Sequence, residues 1–102
     1  MLLKVVWSPR AEESYVRIAD FILKKWTQKE VKKFTAKTFS TITKISKNPK
    51  MFVESVLRKG IRKGYISKHT SLLYRVKTNE IELLYFWDNR QDPKKMVEGK
   101  LL

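Results

Sequence analysis

Cysteine is absent from these 102 residues, and histidine occurs once, as His69. The first absence excludes disulfides and thiolate metal sites, and a lone imidazole is a poor basis for a transition-metal centre, so no metal or cofactor is expected. Long apolar runs are missing too. None approaches the length of a bilayer span, and Met1 to Trp7 lacks both a basic lead and a small-residue cleavage site, so no membrane partner is expected and a cytoplasmic location is. Acidic residues are few: ten Asp and Glu stand against twenty-three Lys and Arg, giving a formal charge of +13 and a pI near 10.1. That excess on a chain of single-domain length favours polyanions such as nucleic acid, ribosomal RNA or an acidic protein. One domain is expected over residues 1–102, without repeats, low-complexity segments or internal linkers.

What is present is organised around Glu80 to Pro93, EIELLYFWDNRQDP. Ile81, Leu83, Tyr85 and Trp87 fall on one alternation set and Leu84 and Phe86 on the other, so both faces have something to contact. The pattern predicts a central strand, with neither charge nor bulge between Ile81 and Trp87. Asp88, Asn89, Arg90, Gln91 and Asp92 then crowd hydrogen-bonding side chains into a loop closed by Pro93. Such loops at the end of a rigid strand are where function concentrates.

Taken in order, Met1 to Trp7 alternates as a first strand. Ser8 is the expected N-cap of a helix with Pro9 at its first position and Glu12 and Glu13 complementing the dipole. Its core stripe is Ala11, Tyr15, Ile18, Ile22 and Trp26, widened by Ala19 and Phe21. Thr27 and Glu30 have capping-box spacing and open a second helix with the stripe Val31, Phe34, Thr38, Ile42 and Ile45, ending at Asn48 before Pro49. The short link makes the two helices antiparallel neighbours. Lys29, Lys32, Lys33, Lys37, Lys44 and Lys47 cover the polar faces of the second, as a solvated face or one that meets phosphate. Residues 50–59 have no period and are expected as loop, with Phe52, Val56 and Leu57 dropping onto the core. A basic strand from Gly60 to Lys68, a turn at His69 and Thr70, a strand from Ser71 to Lys77 and a two-residue turn at Thr78 and Asn79 lead into the central strand. Asn79 is suited to the left-handed conformation such a turn requires.

The order implies an α+β domain: an N-terminal strand, then an antiparallel two-helix hairpin packed on one face of an antiparallel sheet. Leu72, Tyr74, Leu83 and Tyr85 are expected to meet the helices. Leu73, Leu84 and Phe86 then look outward beside Arg75, an apolar patch rimmed by charge of the kind that marks a partner surface. With Arg90 these four form the expected partner-binding set.

Arg90 is the leading site candidate, because a guanidinium at the end of a rigid strand offers a planar fork of donors to phosphate or carboxylate. The alternative is that it pairs with Asp88 or Asp92 and fixes the loop. His69 has the only side chain whose ordinary pKa lies near neutrality, which suits a general base for a ribose 2′-hydroxyl, although a turn histidine is equally a plain polar residue. Lys68 and Arg62 are candidates to stabilise phosphorane charge or to remain solvated.

Three segments in order, WSPRAEE at Trp7 to Glu13, SLLYRV at Ser71 to Val76 and DNRQDP at Asp88 to Pro93, resemble the RelE/ParE superfamily of toxins from bacterial type II toxin–antitoxin systems. The resemblance covers nearly the whole chain. It implies a toxin of the plasmid-stabilisation type, neutralised by a small antitoxin. In the RelE-type ribonucleases an arginine at this strand end contacts the scissile phosphate, and Arg90 matches it; catalysis would then use Arg90, Lys68 and His69. Those relatives usually carry an arginine where this chain has Ser71 and a tyrosine or histidine in the tail where it has Met96, Val97 and Glu98. The ParE-like branch, which poisons DNA gyrase, lacks these residues as well. The first expectation is therefore a ParE-like gyrase poison with an acidic antitoxin as partner. A RelE-like endoribonuclease acting on ribosome-bound mRNA is the second, and a non-toxic basic nucleic-acid-binding module the third.

Overall fold

The computed structural model describes residues 2–56 and 58–90. Met1, Leu57 and the expected tail from Gln91 onward, including Asp92, Pro93, Met96, Val97 and Glu98, lie outside them. The elements run β1 (Lys4–Trp7), α1 (Pro9–Lys25), α2 (Gln28–Lys47), β2 (Ile61–Tyr65), β3 (Thr70–Val76) and β4 (Glu80–Asp88). Their sheet order is β1-β4-β3-β2, which makes β4 the interior strand the sequence predicts. β2, β3 and β4 form an antiparallel meander, whereas β1 pairs with β4 in parallel, Lys4 opposite Glu80 and Trp7 opposite Leu83. The sheet is accordingly mixed. The physical reason is the helical hairpin: two antiparallel helices return the chain to the end from which β1 left, and the meander then fixes the direction of β4.

Both helices begin as their caps dictate. Ser8 Oγ accepts the Ala11 N–H at 3.0 Å, with Pro9 inside the first turn, and Thr27 Oγ1 accepts the Glu30 N–H at 3.4 Å. Ala11, Ile18 and Ile22 of α1 and Phe34, Ile42 and Ile45 of α2 are buried against Leu72, Tyr74, Ile81, Leu83 and Phe86 of the sheet. Thr38 is the one polar member of its stripe, and its hydroxyl donates to the Phe34 carbonyl at 2.8 Å, so burial leaves no orphan. Trp26 departs from the expected stripe. It sits at the C-cap with φ −129° and ψ −127°, no longer helical, so the 3.6-residue period fails there and the ring stays 48% exposed.

The central strand carries the bulge that its sequence did not suggest. Leu73 pairs with Tyr85 but Tyr74 pairs with Leu83, so Leu84 is an extra residue in β4. Every side chain after it changes face. Phe86, expected outward, is 1% exposed within the helix-side core, stacked on Trp7 at 5.3 Å and edge-on to Tyr15 at 5.4 Å. Tyr85, expected to meet the helices, instead joins Ile61, Leu73 and Trp87 in a second apolar cluster, with Leu84 packed against it.

β1 stops at Trp7 while β4 continues to Asp88, and α1 supplies the bonds β1 does not. The Ser8 N–H donates to the Leu83 carbonyl at 3.0 Å, Ser8 Oγ–H to the Leu84 carbonyl at 3.1 Å, and Ser14 Oγ accepts the Phe86 N–H at 2.9 Å. The Ser14 hydroxyl is itself committed to the Ala11 carbonyl. Ser14→Ala would leave the Phe86 N–H buried and unpaired, and is expected to cost about 1–3 kcal/mol in urea unfolding, whereas Ser40→Ala on the exposed side of α2 should be nearly silent.

Three smaller expectations are also corrected. Val56 is 99% exposed rather than packed, because the backbone there is occupied at the sheet edge, with Glu54 bridged to Arg62 and the Ser55 N–H bonded to the Ile61 carbonyl. Asn79 is not left-handed: Gly60 alone among the described residues has positive φ, and the hairpin closes with the Lys77 N–H donating to the Glu80 carbonyl. Thr70 opens β3 rather than turning, with the Ile66 and Ser67 N–H groups both donating to its carbonyl.

Candidate functional site

The end of β4 is fastened by one carboxylate. The shift of face at Leu84 turns Asp88 inward, fully buried and directly opposite Thr70. It accepts Thr70 Oγ1–H at 2.8 Å, the Arg90 N–H at 2.9 Å, Arg90 Nε–H at 2.9 Å and Arg90 Nη2–H at 2.6 Å. Burial alone pushes the Asp88 pKa up; the Arg90 and Thr70 hydrogen bonds and the Arg90 charge together outweigh it and hold the carboxyl below its ordinary value. The same bonds to Asp88 raise Arg90. Beside them the Asn89 N–H donates to the His69 carbonyl at 2.7 Å and Asn89 Nδ2 to the Lys68 carbonyl at 3.3 Å, so the loop after β4 is laced to the β2–β3 turn.

Arg90 also lies over Trp26, its guanidinium carbon 5.0 Å from the ring centroid, and Phe21 meets the same indole edge-on at 5.9 Å. This corner opens into a cleft of about 770 Å³ between α2 and the β2–β3 turn. Ile22, Phe34 and Ile66 give it an apolar floor; Lys33 and Lys37 stand on one wall, Ser67, Lys68 and His69 on the other, with Trp26, Glu30 and Arg90 at one end.

Arg90, Lys68 and His69, proposed from sequence as one site, therefore line one cleft. Arg62 does not join them, since its Nη1 donates to the Phe52 carbonyl at 2.7 Å and ties down the loop before β2. The partner-binding set is divided. Leu73, Arg75 and Leu84 keep to the open face of the sheet, where Arg75 approaches Glu82 at 3.8 Å; Phe86 is in the core; Arg90 is in the cleft. Sequence reasoning missed Trp26, which it placed in the core, and did not separate Lys33 and Lys37 from the other lysines of α2. The signal for the lysines was available, since four-residue spacing puts them on one helix face with Phe34 between. Among the described residues no three His, Cys, Asp or Glu side chains gather as metal ligands would, and no helix is long and apolar enough to cross a membrane. Chemically the cleft is suited to anions: three lysines face a single glutamate, and the arginine is already neutralised in place.

The sequence pattern of the family described as ParE toxin of type II toxin-antitoxin system, parDE, matches residues 5–93. A comparison with curated proteins matched none. Among solved structures, the fold is similar to a chain of the chromosomal ParDE toxin–antitoxin system from P. aeruginosa, with a TM-score of 0.72 and 17% identity over 85% of this chain and 96% of that one. It is also similar to the YoeB dimer from Staphylococcus aureus, with a TM-score of 0.61 and 21% identity over 85% and 97%. A copper-bound mutant toxin from Helicobacter pylori follows at 0.54, with 19% identity over 88% and 98%.

Proposed function

Because the chain belongs to the ParE toxins of type II toxin–antitoxin systems, we propose that it acts by binding DNA gyrase, and that an acidic antitoxin complementary to its +13 charge neutralises it. The observation that carries this over a ribonuclease reading is the condition of Arg90. Its Nε and Nη2 both bond a buried carboxylate, so a scissile phosphate that took the same fork would strand Asp88 without its counter-charge, at a cost of several kcal/mol. Ser71, at the position where the resemblance to mRNA-cutting toxins calls for an arginine, is buried in β3 between Tyr65 and Trp87. Leu84 and Arg75, on the open sheet face, are assigned to antitoxin contact.

The second reading, a ribosome-dependent endoribonuclease, draws on the convergence of Lys68, His69 and Arg90 in one cleft. There His69 would take the 2′-hydroxyl proton while Lys68 and Arg90 countered charge on the phosphorane. One experiment separates the two. Purified protein is added to a gyrase supercoiling reaction and, in parallel, to translating ribosomes. The expected result is inhibited supercoiling with intact mRNA. Reproducible mRNA cleavage that disappears in Arg90→Ala, with supercoiling untouched, would put the ribonuclease first; loss of neither activity in either reaction would leave a basic nucleic-acid-binding module.

A further inference from the structure

The cleft holds more than the ribonuclease reading used. Its floor is made of side chains that belong to the core, Ile22 at 2%, Phe34 at 6% and Ile66 at 7% exposure, reached between two walls of lysine. Lys33 and Lys37 are one helical turn apart and exposed, and Lys68 faces them from the β2–β3 turn. Glu30 is the lone acid, and it approaches Lys33 at 3.7 Å. An apolar floor under a cationic rim fits a ligand that is apolar at its centre and negatively charged around it.

A nucleic acid strand is the less suitable occupant. Single-strand binding sites stack bases on open aromatic faces. The one indole here is already covered by the Arg90 guanidinium at 5.0 Å and abutted by Phe21, so a base would have to displace a cation that Asp88 anchors. Phe34 lies at the floor, in stacked contact with Tyr15 at 5.1 Å. Lysine ammonium groups, as compact donors, serve carboxylates well.

We infer that the cleft between α2 and the β2–β3 turn is a docking site for an acidic antitoxin segment, whose large apolar side chain enters between Lys33, Lys37 and Lys68 and rests on Ile22, Phe34 and Ile66. The inference rests on the toxin reading above and adds a contact region separate from the open sheet face. It also gives Arg90 a role that leaves its pairing intact: held by Asp88 over Trp26, it closes one end of the cleft.

The test is the affinity of the antitoxin encoded in the adjoining reading frame for paired charge reversals, read by calorimetry at fixed salt. Lys33→Glu with Lys37→Glu is compared with Lys44→Glu with Lys47→Glu, which changes net charge equally on exposed positions of the same helix outside the cleft. Thermal melts establish that both variants fold. The cleft pair is expected to weaken binding about tenfold or more and the control pair less than about threefold, because local pairing exceeds the long-range field. Equal losses would reduce the effect to net charge and overturn the inference. So would a cleft pair that left antitoxin affinity unchanged while abolishing binding of a single-stranded oligonucleotide, which would give the cleft to nucleic acid. In both cases parental binding to the antitoxin keeps the toxin reading standing; a parent chain that binds no antitoxin would sink both.

Discussion

Phe86→Ala should be the most damaging single truncation in the sheet, destabilising the domain by about 3–5 kcal/mol. The side chain is 1% exposed and is held on two sides, by Trp7 at 5.3 Å and Tyr15 at 5.4 Å. Removing the ring opens a void among aromatic neighbours that have few ways to collapse into it, since Tyr15 is itself pinned by a 2.9 Å hydrogen bond between its hydroxyl and Thr35 Oγ1. A loss of that size is a large fraction of a small domain's total stability of roughly 5–15 kcal/mol. In a thermal melt it corresponds to a drop of roughly 15 °C or more. Leu84→Ala, one bulge residue away on the other face, is expected to lose far less. Comparable losses at the two positions would contradict the assignment of faces.

Asp88→Asn is expected to cost about 2 kcal/mol at neutral pH, because hydrogen bonds to a charged partner are worth more than neutral ones and the amide cannot accept both Arg90 donors as the carboxylate does. The pH dependence carries the sharper signature. The Asp88 carboxyl is held below its ordinary value near 3.8, so the native state binds this proton less readily than the unfolded chain. Its stabilising contribution is complete above that ordinary value and is lost as pH falls through the depressed native one. Urea unfolding of parent and variant should differ by the full amount at about pH 7 and converge in acid below the native value. A gap that stays constant into strong acid would show that geometry, not the ion pair, accounts for the loss.

Much of this architecture was legible in the residues. Ser8, Pro9, Thr27 and Asn48 are local signals whose chemistry acts within one helical turn, and each boundary falls where they place it. The interior position of β4 followed from apolar residues on both alternation sets, and the gathering of Arg90, Lys68 and His69 followed from adjacent strand ends. The bulge did not follow. LLYFW offers apolar side chains at every position of both registers, so no charge or glycine in the strand marks which residue is the extra one. The choice is made by Ser8 and Ser14, whose oxygens bind the β4 backbone on either side of Leu84 and Phe86, contacts between residues far apart in sequence. Trp26 was misplaced for a related reason: the helical period assigns a face only while the helix lasts, and the cleft it borders exists only once α2 and the β2–β3 turn have met.

The parallel pairing of β1 with β4 has a kinetic side. Ser8 and Leu84, which close that junction, are 76 residues apart in sequence, and the strand that most of the core rests on is the last described element to be made. Closing so long a loop must precede the contacts that reward it, which places the chain among slow folders, in the millisecond-to-second range, rather than with helical bundles of its size. The helical hairpin can form early on the ribosome, but its apolar stripe stays uncovered until β4 emerges. A nascent or truncated chain ending before Glu80 has neither the Asp88–Arg90 clamp nor a finished core, so the folded domain arises only from chains translated through β4.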